Sequence, residues 1–263
     1  MFPLRDDIQP RSAPVVNYIL IAVTTATFLA QLGDDDGLVT EYGMIPARVS
    51  YPDDEIYVEA ERLMPTPFGQ QAVVVEERVP RPSVHPWATV VSCIFLHGGW
   101  LHLLGNLWFL YIFGDNVEDR MGKAGYLAFY VVSGAAASLT HYAFQTESTI
   151  PTIGASGAVA GVMGAYMFLY PMARVTTLIP IFFIIQIIVL PAPIFLGIWF
   201  VIQLAQGTFS MGDLQAAGVA WWAHAGGFAF GFVVAKLLHA PEEPPRPRVR
   251  VVRVPPADPD PWG

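Results

Sequence analysis

The sequence predicts an all-α membrane protein: a bundle of six spans enclosing a hydrophilic cavity open to the outer side of the bilayer. Three observations carry that prediction. Of the 263 residues, 54% are hydrophobic and only 14% are charged, against about 25% charged in an average soluble domain. Six apolar stretches approach the roughly 20 residues that a helix needs to cross the hydrocarbon. The acidity behind the net charge of −8 is local, since 11 of the 22 acidic residues lie between Asp34 and Glu77. No basic field points to nucleic acid, and the single Cys93 excludes an internal disulfide and reads as a small buried apolar residue.

The first span covers about 14–32; with no small-residue cleavage site after it, it is expected to remain as an anchor. The second covers about 101–116, the third about 124–144, the fourth about 155–172 and the sixth about 219–239. Beyond Arg174 the chain runs uncharged through 206, too far for one helix, and Pro180, Pro191 and Pro193 interrupt it. Proline removes a helical hydrogen bond and clashes with the turn before it. The fifth span is therefore placed at about 192–207 and is expected to act as a side gate, with 176–190 before it as an irregular or partly helical lead-in. Outside the core region 14–239 lie a short N-terminal segment, 1–13, and a tail, 240–263, whose eight prolines predict a solvated, disordered segment. Within the core, 33–86 forms a long hydrophilic loop in which "QQAVVVEERV" can pair as strands.

Lysine and arginine favour the cytoplasmic side. With the N-terminus inside, Arg5, Arg11, Arg120, Lys123, Arg174, Lys236, Arg246, Arg248, Arg250 and Arg253 are cytoplasmic, and the short outer loops near 145–153 and 208–218 carry no basic residue. Both termini are then expected in the cytoplasm, and the setting is expected to be the inner membrane of a prokaryote. Spans two, four and six start on the outer side in this orientation. His102, Ser156 and His224 each fall within about two turns of those starts, at a similar shallow depth on the order of 10 Å from the outer face.

Polar groups are costly in hydrocarbon and face a protein interior or water. The second span opens "FLHGGWLHLLGN", which puts His102 and Asn106 four residues apart on one helical face. The fourth opens Gly154-Ala155-Ser156-Gly157, and the sixth carries "AWWAHAGGFAFG" with His224. Ala223, Gly227, Gly231 and Ala235 recur every four residues, as do Ser156, Ala160 and Gly164, with Gly157, Gly161 and Ala165 beside them. Such stripes let transmembrane backbones approach closely; facing each other, they would bring His224 to Ser156. A serine hydroxyl needs a base to take its proton, and histidine is the usual one. No Asp or Glu lies in a span at this depth, which favours a Ser-His dyad over a triad. His102 and Asn106 could donate to a developing oxyanion, together with the free N–H groups of a helix start, and Gly154 and Gly157 would allow a tight turn and close substrate approach. A zinc site built from the histidines lacks an accompanying acid, so neither metal nor cofactor is expected.

In this order and on alternate spans, "FLHGGWLHLLGN" (95–106), "GDNVEDRMG" (114–122), "GASGAVAG" (154–161) and "AHAGGFAFG" (223–231) resemble the rhomboid intramembrane serine proteases. The resemblance covers about 12–239. It implies Ser156 as nucleophile, His224 as general base, His102, Asn106 and the Ser156 amide as oxyanion donors, and His97, Glu118 and Arg120 as structural. It places Trp87 and the stretch up to His97 in a loop lying partly in the membrane. It implies transmembrane proteins as substrates within the lipid bilayer. Where some members carry an aromatic four residues after the serine, this chain has Ala160, so the His224 ring needs another support, with Trp221 and Trp222 as candidates. His141 is expected to be a hydrogen-bonded interior histidine. The alternative class is a catalytically silent, rhomboid-like chaperone or translocation factor, and a small transporter is a third.

Overall fold

A computed structural model describes residues 1–34, 37–66, 69–79, 81–181, 184–209 and 220–240. The tail from 241 onward and most of the 208–218 loop lie outside the described residues. In chain order the elements are β1 (Phe2–Asp6), α1 (Val15–Gln31), α2 (Gly37–Tyr42), α3 (Pro46–Ser50), β2 (Tyr57–Thr66), β3 (Gly69–Arg78), α4 (Thr89–Ser92), α5 (Trp100–Met121), α6 (Lys123–Phe144), α7 (Ser156–Leu169), β4 (Arg174–Ile181), β5 (Ile184–Pro191), α8 (Ala192–Phe209) and α9 (Trp221–Leu238). Single 3-10 turns, Pro86–Ala88 and Cys93–Phe95, flank α4.

The long helices stand where the apolar stretches predict them, and their ends have local causes. The second runs on to Met121 because the polar turn Asp115–Arg120 stays helical until Gly122, whose φ of 73° breaks it. The fourth stops at Leu169, short of the expected 172, since Pro171 disfavours helical backbone at the residue before it. Lys123–Phe144 is long and apolar enough to cross a membrane alone, and Pro86–Phe95 with Trp100–Met121 passes as a pair bent by 79°. Val15–Gln31, Ser156–Leu169 and Ala192–Gln206 are apolar but shorter.

The all-α expectation needs correction, because two antiparallel sheets accompany the helices. The 176–190 lead-in is neither irregular nor helical: β4 and β5 form a hairpin, with Thr177 opposite Ile188 and Val175 opposite Leu190. This stretch is rich in isoleucine, valine and threonine, whose branched Cβ favours extended backbone, and its prolines exclude a helix. β1 adds to the β4 edge, with Phe2 opposite Leu178. It is also pinned to the bundle: the Trp108 indole donates to the Pro3 carbonyl at 2.7 Å, and Phe2 stacks on Trp108. The second sheet is the β2–β3 hairpin of the acidic loop, which contains the stretch expected to pair. The buried Arg48 ties that loop together by donating to the carbonyls of Asp54 and Val79.

α7 is the central helix, buried from Gly157 through Tyr166, and it packs against α5, α6, α8 and α9. Its closest neighbour is α9. A Cβ at Gly227 would collide with the Gly157 carbonyl, one at Gly231 with the Gly161 carbonyl, and one at Gly164 with the Phe228 carbonyl. The stripe residues Gly227 and Gly231 thus meet Gly157 and Gly161, the register beside Ser156, while Gly164 meets Phe228. A polar bolt holds α1 to α5 and α6. Glu118 is 2% exposed and accepts from the first amides of α1, Val16 N at 3.1 Å and Asn17 N at 2.7 Å. Asn17 donates to the Leu110 carbonyl and accepts from the Tyr126 hydroxyl at 2.8 Å. The structural reading of Glu118 thus has a physical basis: a buried carboxylate satisfies donors that a helix start leaves open.

Candidate active site

The site is assembled from helix starts. Ser156 opens α7, His102 sits in the first turn of α5 and His224 in the first turn of α9. All three line one open cavity of about 640 Å³, together with Asn106, Trp199 and Gln203. The β1–β4–β5 sheet lies toward the other end of α7, where Tyr166 reaches Asp6, about 15 Å along the helix from Ser156.

His224 Nε2 lies 2.7 Å from Ser156 Oγ. The stripes deliver this contact: with α9 backbone seated directly on α7 backbone, side chains in the two first turns meet. The other ring nitrogen, Nδ1, lies 2.7 Å from Gln203 Oε1 on α8. Both partners are nearly inaccessible, His224 at 9% and Gln203 at 6% exposure. The ring also meets Trp221 edge-on at 5.9 Å and Trp199 at 6.0 Å. Of the two tryptophans suggested by the sequence, Trp221 touches the ring, whereas Trp222 stacks on Phe144 at 4.1 Å. Ala160 is fully buried inside the bundle.

The loop before α7 is shaped around His102. Gly154 has a φ of +126°, in the region that favours glycine, and a Cβ there would lie 2.7 Å from His102 Cε1 and Nε2 and 3.7 Å from Ser156 Oγ. Its amide is fixed by the Cys93 carbonyl at 3.0 Å. His102 Nδ1 accepts from the Gly98 amide at 3.4 Å, which leaves Nε2 as the nitrogen that carries hydrogen beside Gly154. The Asn106 amide nitrogen lies 3.1 Å from His97 Nε2 and 3.0 Å from the His102 carbonyl. His97 is buried and held through its backbone by Gln31, which both donates to its carbonyl and accepts from its amide. His141 Nδ1 is buried with no hydrogen-bond partner among the described residues, at variance with the expected hydrogen-bonded histidine. Gly157 faces Ala137 and α9 rather than the cavity. No carboxylate lines the cavity among the described residues.

Sequence reasoning missed Gln203. The signal was present: an amide inside an uncharged apolar span is costly unless it is paired, and Gln203 lies in such a span.

Fold and site together define a helical protein with a serine–histidine contact on the wall of an open cavity, whose lining is mixed and more apolar than polar rather than hydrophilic as expected. The Rhomboid domain family matches residues 84–241, more than half of the chain. The chain belongs to the rhomboid family and is an integral membrane protein. Among its relatives, Rhomboid protease GluP of Bacillus subtilis is 30% identical over 156 residues, 59% of this chain and 27% of that protein. Rhomboid-like protein 11, chloroplastic, of Arabidopsis thaliana is 40% identical over 75 residues, 28% of this chain and 26% of that protein. Rhomboid protein 1, mitochondrial, of Saccharomyces cerevisiae is 29% identical over 91 residues, 33% of this chain and 26% of that protein. The matched part spans about a quarter of each of these relatives.

Proposed function

We propose that this chain is an intramembrane serine endopeptidase that cuts single-span membrane proteins in or near their transmembrane segments. The observation that supports it best is the 2.7 Å contact between Ser156 Oγ and His224 Nε2 on the wall of an open cavity. As Oγ attacks the scissile carbonyl carbon, its proton passes to Nε2, and the carbonyl oxygen gains the negative charge. Hydrogen-bond donors aimed at that charge are commonly the largest electrostatic contribution to such catalysis. His102 Nε2–H, beside Gly154, and the amide of Ser156, which has no partner among the described residues, supply such donors; Asn106 joins them by turning its amide from His97. The protonated His224 then gives its proton to the leaving amine. Water hydrolyses the acyl-enzyme by the same steps, with His224 taking the proton of the water and returning it to Oγ.

The six long helices cross the bilayer in this reading, both termini are cytoplasmic, and the cavity opens to the outer side. Residues 14–239 form the protease core, with 1–13 and the proline-rich 240–263 outside it. A substrate helix hides its carbonyls in internal bonds, so it must unwind before Ser156 can reach one. α8, which lines the cavity through Trp199 and Gln203, is the side by which it enters. The test is cleavage of single-span substrates in liposomes by wild type, Ser156→Ala and His224→Ala. Loss of cleavage in both variants is expected. Cleavage that persists in both removes the serine mechanism, and no cleavage by well-folded wild type favours the chaperone class.

A further inference from the structure

We infer that Gln203 is a positioning residue for His224, a neutral third member that selects the tautomer of the base. The inference rests on the serine-protease reading above. In hydrolases built on a serine and a histidine, a third group usually holds the far ring nitrogen, so that the near one presents its lone pair. An aspartate is the common choice, yet no carboxylate lines this cavity among the described residues. Gln203 Oε1 takes that place, 2.7 Å from Nδ1. A carbonyl oxygen can only accept, so Nδ1 carries the hydrogen. Nε2 is then a bare lone pair, 2.7 Å from Ser156 Oγ, and the serine hydroxyl donates to it. With the opposite tautomer, Nε2–H would point at Oγ and could not take its proton.

The environment makes this bond consequential. Both residues are over nine-tenths buried, and Gln203 Oε1 is the acceptor that the described residues place at Nδ1. Trp221 and Trp199 limit where the ring can go but leave open which nitrogen holds the hydrogen. A neutral acceptor also suits the location: a buried carboxylate would need a counter-charge, and α8 carries no basic residue. The amide supplies the directional bond without a charge. The bond also supports the ring in a chain that carries Ala160 four residues after the serine.

The test compares wild type, Gln203→Met, Gln203→Glu, Ser156→Ala and His224→Ala in detergent. Two readouts are used: turnover of a single-span substrate and the 15N NMR spectrum of His224. Methionine keeps the shape without the acceptor, and glutamate keeps the acceptor. Gln203→Met should lower kcat about 10- to 100-fold with KM within about twofold, while Gln203→Glu should recover most of the loss. The spectrum should show hydrogen on Nδ1 in wild type and a mixture of tautomers in Gln203→Met. A Gln203→Met enzyme within twofold of wild-type kcat, or wild type with its hydrogen on Nε2, overturns the inference. If Gln203→Met fails to fold, the wild-type spectrum and Gln203→Glu turnover decide. Wild-type turnover in Ser156→Ala and His224→Ala would instead overturn the protease reading, a pattern distinct from an inert Gln203.

Discussion

Gly227 of α9 sits so close to Gly157 of α7 that a single methyl group on it would strike the Gly157 carbonyl. The same holds one turn further on for Gly231 and Gly161. This backbone-to-backbone seat sets the distance between the first turns of the two helices, and with it the 2.7 Å contact between His224 and Ser156. Gly227→Val should therefore cost about 2–4 kcal/mol through overpacking and lower the melting temperature in detergent. Gly197→Ala on α8 is the matched control. Nothing lies within 4 Å of a Cβ there, so it should be neutral or slightly stabilising through helix propensity.

Gly154→Ala should be much more harmful to turnover than to stability. A Cβ at this φ of +126° is strained and would press on the His102 ring. Turnover should fall by about 100-fold, roughly 3 kcal/mol of transition-state stabilisation, while the protein still melts cooperatively. The measurement is kcat on a single-span substrate alongside a thermal melt; equal kcat would free the loop of its proposed part.

Glu118→Ala removes the acceptor for the Val16 and Asn17 amides and leaves them unmatched at a buried helix start. The expected loss is about 1–3 kcal/mol, read as a lower melting temperature. Activity at low temperature should stay near wild type, because Glu118 lies at the end of α5 remote from Ser156.

The N-terminal strand should respond to pH through Asp6. Burial pushes this carboxyl up to about 6 from 3.8, although the hydrogen bond from Tyr166 works against it. The folded state thus binds a proton that the unfolded chain releases between about pH 4 and 6. The burial cost is absent below that window and fully present above it, so stability rises as pH falls from 7 toward 4. Its size is on the order of 1–3 kcal/mol. Asp6→Asn should flatten this part of the pH dependence in melts of wild type and variant between pH 4.5 and 7.5. Parallel curves would remove Asp6 as its source.

The helices were legible because apolar length and proline placement dictate them: about 124–144 was expected and Lys123–Phe144 is found. The Ser156–His224 contact was legible through the glycine stripes. The hairpin 174–191 was not, since an uncharged run of β-branched residues reads equally as a buried helix by hydrophobicity alone. β1 escaped notice because its partner edge on β4 is distant in sequence. Gln203 escaped because one amide in an apolar span shows no partner until α8 and α9 are set side by side.

The central claim, that Ser156 is a nucleophile activated by His224, is tested most directly by fluorophosphonate labelling followed by mass spectrometry of the adduct. The account predicts one adduct, on Ser156, formed about 1,000-fold or more slowly in His224→Ala and absent in Ser156→Ala. An adduct on another residue, or labelling of Ser156 at an unchanged rate in His224→Ala, would contradict it.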